Sequence, residues 1–261
     1  MKPPRVIGGV CLSVNPKGCM ASARGWIAAE KALPPLAGGP KSVLVLGCSG
    51  GYGLAARIVS AFGAGAQTFG VSFERPPTAK RRATPGWYNN LAFDAAAAED
   101  GLLSETLAAD AFLDATRAEV VARARDRHLP PFDLVVYSLA APQRTDPANG
   151  VTYRSAIKPI GRALTGKTLD VASGALADVT LDPATPEEIA GTVKVMGGED
   201  WLLWIKALKA AGLLAEGART VAFSYIGPDS TYAIYRSGTL GKAKEHLEAT
   251  AAEIGRILAP L

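Results

Sequence analysis

Tyr235 and Lys244 are the two side chains in this sequence best suited to do chemistry. From Leu240 onward, Leu240, Lys244, Leu247, Ala251, Ile254 and Leu258 advance by three or four residues, the spacing of one face of an amphipathic helix. Lys244 is the only charge on that stripe. Burying an unpaired ammonium costs several kcal/mol or drives its pKa down, so a polar group is expected to face it. Tyr235 lies nine residues upstream, an offset that on one continuous helix points the two side chains apart. The intervening Arg236-Ser237-Gly238-Thr239 holds a helix breaker and two residues that favour N-caps. Tyr235 is therefore expected in a loop and Lys244 in the early turns of the following helix, where the two can converge. A phenol with its ordinary pKa of about 10 donates a proton or hydrogen bond at neutral pH, and a nearby ammonium stabilises its anion. Taken alone, a packing tyrosine and a lysine snorkelling to the rim of the core are the commoner arrangement.

A second constellation suits a dinucleotide. The apolar run Ser42-Val43-Leu44-Val45-Leu46 leads into Gly47-Cys48-Ser49-Gly50-Gly51-Tyr52-Gly53 and then the helix former Leu54-Ala55-Ala56-Arg57-Ile58. Glycines between a strand and a helix permit a tight turn and the close approach of a pyrophosphate, whose charge meets the helix N-terminal N–H groups. A second strand ends in Glu74, about 20 residues past the glycines, where an acid accepts hydrogen bonds from ribose hydroxyls. A carboxylate there repels a 2′-phosphate and favours NADH over NADPH. Arg75, Lys80, Arg81 and Arg82 follow closely and offer that phosphate partners, so NADPH use is not excluded. Asp110 ends a further strand, placed to bond an adenine amino group or to cap the segment from Phe112, and Ser138-Leu139-Ala140-Ala141 ends the next.

In the elements that carry these residues, short apolar strands alternate with Ala-rich helices. Strands are expected at residues 6–14, 42–46, 67–73, 104–109, 134–138 and 220–225, and helices at 21–33, 54–62, 90–100, 112–127, 186–196, 201–211 and 241–258. That alternation predicts an α/β fold, a Rossmann-like doubly wound parallel sheet. One domain over 1–261 is expected, with 142–160 and 183–211 as substrate-side insertions and long loops at 75–88 and 142–160. The apolar run after Met1-Lys2-Pro3-Pro4-Arg5 faintly resembles a secretory signal, with Ala21-Ser22-Ala23 as a cleavage site, but its length and β-formers favour a strand.

Composition narrows the function classes. With 261 residues and 48% hydrophobic content, the chain can bury a substantial core. Cys11, Cys19 and Cys48, with His128 and His246, show no metal-ligand spacing, and no metal is expected. A net charge of +4 spread along the chain points to no nucleic-acid surface. No apolar window reaches the length of a membrane span. These features fit a cytoplasmic protein with reduced thiols.

The glycine turn, the ribose acid and a Tyr–Lys pair, in that order, resemble a short-chain dehydrogenase/reductase with an unusual Tyr-x8-Lys spacing. Longer strings sharpen this: Gly51-Tyr52-Gly53-Leu54-Ala55-Ala56-Arg57, Gly86-Trp87-Tyr88-Asn89, Asp133-Leu134-Val135-Val136-Tyr137-Ser138-Leu139-Ala140-Ala141-Pro142, Val195-Met196-Gly197-Gly198-Glu199-Asp200-Trp201 and Tyr235-x8-Lys244. Over essentially its whole length the chain resembles the trans-2-enoyl-CoA reductase and FabV-type enoyl-acyl carrier protein reductase family. The resemblance implies NADH-dependent reduction of the C2=C3 bond of a trans-2-enoyl thioester carried by acyl carrier protein or coenzyme A, in fatty acid biosynthesis, by a monomer. It implies Tyr235 as proton donor or enolate partner, Lys244 as a holder of the nicotinamide ribose, and Tyr225 as a substrate contact. It also implies cofactor contacts at Gly47, Cys48, Ser49, Gly50, Gly51, Tyr52, Phe73, Glu74, Asp110, Ala111, Leu139 and Ala140. The segment 195–204 resembles the family's flank of the acyl pocket, although Trp201 and Trp204 share a helical face and are expected to pack in the core. Two departures stand out: Glu245 follows Lys244 where the family often has a second lysine, and family members continue beyond the position of Leu261. Alternative readings are a catalytically incomplete dinucleotide-binding module that docks another chain, and a carbonyl-reducing dehydrogenase, which lacks its usual Tyr-x3-Lys spacing here.

Overall fold

A computed structural model describes residues 6–7, 10–11, 13–170, 173–225 and 227–259. At its start β1 (Val6–Ile7) pairs antiparallel with β2 (Val10–Cys11), and α1 (Pro16–Lys31) follows. This corrects the expectation of one strand over 6–14 and a helix from 21. Residues 8, 9 and 12 lie outside the described residues, and β1 and β2 form a separate small sheet. The helix starts early because the Asn15 side chain accepts from the Gly18 N–H at 3.1 Å and Pro16 takes the first turn, where a missing N–H costs nothing.

Regular alternation then begins with β3 (Ser42–Leu46), α2 (Gly51–Ile58), β4 (Gln67–Ser72), α3 (Pro85–Glu99), β5 (Ser104–Ala108), α4 (Asp114–Asp126) and β6 (Phe132–Tyr137). Two antiparallel hairpins follow, β7 (Gln143–Thr145) with β8 (Thr152–Arg154) and β9 (Leu164–Leu169) with β10 (Leu176–Leu181). The first lies in the expected long loop, and the second in a stretch where no element was expected. The chain then runs through α5 (Pro186–Met196), α6 (Glu199–Ala210), β11 (Leu214–Ala222) and α7 (Thr239–Leu258). β11 begins six residues before the expected strand and stops at Ala222, which leaves Tyr225 beyond it.

The main sheet has five strands in the order β11-β6-β3-β4-β5, all pairs parallel. Its central strands are apolar without alternation because helices cover both faces. Ile27, Leu54, Ile58 and Phe93 of α1, α2 and α3 form a core on one side, while Val120, Trp204, Leu208, Leu247 and Ile254 of α4, α6 and α7 belong to the larger core on the other. The expected doubly wound α/β architecture is what the chain adopts. From β3 the chain winds outward through β4 to β5, then crosses back to β6 and β11, so the sheet reverses between β3 and β6. A crevice opens beyond the carboxyl ends of strands at such a reversal. No helix among the described residues is long and apolar enough to cross a membrane.

Candidate active site

The crevice is a cleft of about 680 Å³, and its lining comes from the ends of β3, β4 and β6, the start of α2, the segment after β5, and β7. The turn from β3 into α2 is possible only with glycine at two points. Gly47 has φ +88°, and a Cβ on it would stand 2.0 Å from the Ser138 carbonyl oxygen. A Cβ on Gly53 would stand 2.0 Å from the Gly47 carbonyl oxygen, so this glycine lets α2 sit directly on the turn. By contrast Gly50 and Gly51 have open space where a Cβ would be, and the α2 N-terminus has no side-chain cap. Its first N–H groups are therefore available to an anion.

What fixes α2 is Arg57, whose side chain is wholly buried. Its guanidinium bonds the Thr106 hydroxyl, the Ser104 hydroxyl and the Glu105 carbonyl, each at 2.9 Å, and reaches Asp94 at 3.4 Å. It lies 4.2 Å from the centre of the Phe93 ring. The helix is thus tied through the sheet to α3 and β5 by a charge that has every reason to stay paired.

The cleft brings together most of the expected cofactor residues: Gly47, Ser49, Gly50, Gly51, Tyr52, Phe73, Asp110, Ala111, Leu139 and Ala140. Tyr52 and Phe73 are exposed, and Tyr52 stacks on Phe223 at 5.1 Å between ring centres. Cys48 stands behind the turn, with its side chain buried between Arg57 and Asn90, and burial pushes its thiol pKa up. Glu74 also stands back from the lining: one carboxylate oxygen accepts from the Ser49 hydroxyl at 2.6 Å and the other from the Thr84 hydroxyl. Asp110 accepts from the Phe112 N–H at 3.0 Å, the local cap expected of it, while also lining the cleft.

The tyrosine pair lies elsewhere on the chain. Tyr225 and Tyr235 meet edge to face with ring centres 5.2 Å apart, and Tyr235 sits in the turns before α7, as expected. Lys244 is half-buried within α7 and lines a separate cavity of about 550 Å³ with Arg236, Ser237, Gly241, Lys242, Glu245 and Glu248. The polar partner expected for it is not found: among the described residues its ammonium has none, and burial alone holds its pKa below the ordinary lysine value. The N-cap of α7 is Gly238, not the expected Ser or Thr, because the Thr239 hydroxyl is drawn to the Ala156 carbonyl oxygen.

Several residues that shape the cleft were not foreseen. Ser72, Phe112, Gln143 and Thr145 line it. The string Gly86-Trp87-Tyr88-Asn89 does supply a signal: the Asn89 amide donates to the Ser49 carbonyl at 2.9 Å, and a Cβ on Gly86 would collide with the Glu74 carboxylate at 2.1 Å. Trp201 and Trp204 are buried, as their shared face suggested, with their indole N–H groups on the Thr220 hydroxyl and the Ala111 carbonyl.

Comparison with known proteins gives this geometry a context. Residues 1–79 match the NAD(P)H binding domain of trans-2-enoyl-CoA reductase, and residues 81–260 match the trans-2-enoyl-CoA reductase catalytic region. The trans-2-enoyl-CoA reductase [NADH] of Treponema denticola is 52% identical over 258 residues, which cover 97% of this chain and 65% of that protein. An enoyl-[acyl-carrier-protein] reductase [NADH] of Coxiella burnetii is 48% identical over 96% of this chain and 62% of its own length. The crystal structure of the Treponema denticola reductase in complex with NAD superposes with a TM-score of 0.90 at 51% identity, covering 98% of this chain and 65% of that one. The chain thus spans somewhat less than two thirds of these relatives. A cleft at the sheet reversal, a glycine turn under an uncapped helix and two family regions matched end to end lead to one conclusion: this chain belongs to the trans-2-enoyl-CoA reductase family.

Proposed function

We propose that this chain binds NADH in the glycine cleft and reduces the C2=C3 bond of a trans-2-enoyl thioester of coenzyme A or acyl carrier protein. The observation that carries the reading is the cleft itself: open Cα positions at Gly50 and Gly51 face an α2 N-terminus whose N–H groups have no internal partner. That is a fit for a pyrophosphate, and Asp110 with Ala111 offers a polar wall for the adenosine. NADH, when bound, supplies a hydride to C3 of the enoyl group.

This chain's residues manage the charge that results. Hydride addition at C3 moves the π electrons onto the thioester oxygen as an enolate, and a proton must then reach C2. The Tyr235 hydroxyl donates a hydrogen bond to that oxygen or the proton itself, and Tyr225, against its ring edge, sets the position of the acyl chain. The Lys244 ammonium, without a partner of its own among the described residues, is free to hold the nicotinamide ribose. Both NADH and acyl thioesters are cytoplasmic metabolites in this reading, so the chain works in the cytoplasm.

The test is NADH oxidation by the purified chain with crotonyl-CoA and with a longer trans-2-enoyl-CoA, beside Tyr235→Phe. Turnover lost in the variant supports the reading. NADH binding without turnover of either thioester favours the incomplete dinucleotide-binding module.

A further inference from the structure

The string Glu199-Asp200-Trp201 has no part in the chemistry above, yet each residue ties α6 to another element of the fold. Glu199 accepts from Arg144 of β7 at 2.8 Å, and Trp201 donates to Thr220 of β11 at 2.8 Å. Asp200 is buried, with one oxygen accepting from the Arg117 guanidinium at 2.9 Å and the other from the Tyr137 hydroxyl at 3.1 Å.

Arg117 is the connection to the cleft. Its guanidinium also donates to the Phe112 carbonyl at 3.3 Å and reaches the Ala111 carbonyl at 3.5 Å, while Trp204 donates to that same Ala111 carbonyl at 3.0 Å. Ala111 and Phe112 line the cleft beside Asp110. Three residues of α4 and α6 therefore hold the backbone of one wall from behind. Asp114 gives Arg117 an exposed partner at 2.6 Å, so loss of the Asp200 charge leaves the guanidinium free to turn outward and release the two carbonyls.

We propose that Asp200 is a positioning residue for NADH, acting through Arg117 and Trp204 on the Ala111 and Phe112 backbone that forms the adenosine wall. The assignment rests on the reading of the cleft as an NADH site. It gives the string Glu199-Asp200-Trp201 a role in cofactor affinity, not in the acyl pocket alone.

The charge has a pH signature. Burial pushes the Asp200 carboxyl up to about 6, against the pull of Arg117 and Arg144. The groups facing it are Arg117 from α4, Tyr137 from β6 and Arg144 from β7, and burial pushes the Tyr137 hydroxyl well above its ordinary value.

NADH fluorescence titration of the full chain, with steady-state kinetics on crotonyl-CoA and a thermal melt, tests this. Asp200→Asn is expected to weaken NADH binding roughly tenfold, the scale of one lost charge-assisted hydrogen bond, and to raise the KM for NADH with kcat little changed. Wild-type affinity should fall as pH drops through about 6 while the variant stays flat. Trp204→Phe, which keeps the ring packing and deletes one donor, should weaken NADH by about threefold or more. A folded Asp200→Asn with wild-type NADH affinity, or one that lowers kcat with KM unmoved, overturns the assignment. If Asp200→Asn does not fold, unchanged NADH binding by Trp204→Phe overturns it. A wild-type chain that binds no NADH removes the cofactor reading itself, a different failure from wild-type binding that the variants leave intact.

Discussion

The glycine cleft is held by packed backbone, whereas the tyrosine segment is held by short turns with its working groups unpaired. In the cleft, Gly47 and Gly53 are pressed against carbonyls of β6 and the turn, and Arg57 ties α2 across the sheet. Between β11 and α7, Tyr225 is 54% exposed, and among the described residues neither tyrosine hydroxyl nor the Lys244 ammonium has a hydrogen-bond partner. The difference teaches that the fold sets the glycine half in advance and leaves the tyrosine half, proposed above to handle the proton, to be completed by what binds there. Preorganised donors cost nothing to reorganise at the moment of reaction, while loosely tied groups can follow a substrate in and out.

The largest effect should come from breaking the packed half. Gly53→Ala places a methyl group 2.0 Å from the Gly47 carbonyl, and neither backbone can yield cheaply. We expect a loss of about 3 kcal/mol or more in denaturant unfolding, with NADH binding abolished at the same time. Gly51→Ala, at φ +53° with open space around it, should cost only about 1 to 2 kcal/mol and leave measurable NADH binding. Equal costs at the two positions would mean that the turn is not braced as described.

Next in size is Tyr235→Phe, which probes the other half alone. Turnover of crotonyl-CoA should fall roughly 100-fold or more, the scale of a lost general acid, with NADH affinity and melting temperature nearly intact. A parallel loss of NADH affinity would erase the distinction between the halves.

How much of this was legible in the sequence follows the same division. The strands at 42–46, 67–72 and 104–108 appear within a residue of their expected ends, and the first is the clearest because a strand buried on both faces is an apolar run, here closed by Gly47. The β9–β10 hairpin was invisible for the opposite reason: its residues face solvent, Leu169 and Leu176 included, so no burial imposes a pattern. The start of α1 was written in Asn15-Pro16 but was masked by the apolar run before it and by Gly18 and Gly25 within it. In the site, glycine spacing revealed the cradle, but no local pattern could show that Arg117 and Asp200, 83 residues apart, meet behind it.

A smaller effect should come from Glu74, which lies at the edge of the packed half. Ser49 and Thr84 hold both of its oxygens, so its charge is fixed in place, and Arg75, Lys80, Arg81 and Arg82, which follow it in the chain, border with Thr84 a basic pocket of about 590 Å³. Glu74→Ala should narrow the preference for NADH over NADPH by roughly tenfold, the scale of one like charge removed at a few ångströms. An unaltered ratio of the two dissociation constants would mean that Glu74 supports the turn and does not read the ribose.

The smallest effect concerns Lys244 and should have the opposite sign to the others. Burial lowers its pKa in the native chain below the ordinary 10.5, so between those two values the unfolded chain binds the proton that the native chain releases. Stability therefore rises with pH through that window, and below it the buried charge is a constant cost to the fold. Lys244→Met removes that cost while keeping most of the stem. The variant should melt at a higher temperature than the wild type at pH 7, with the advantage shrinking as pH approaches 10.5, and should lose turnover. A variant that melts at or below the wild-type temperature at pH 7 would show that the ammonium already has a stabilising partner in the free protein, and the tyrosine half would then be as preorganised as the glycine half.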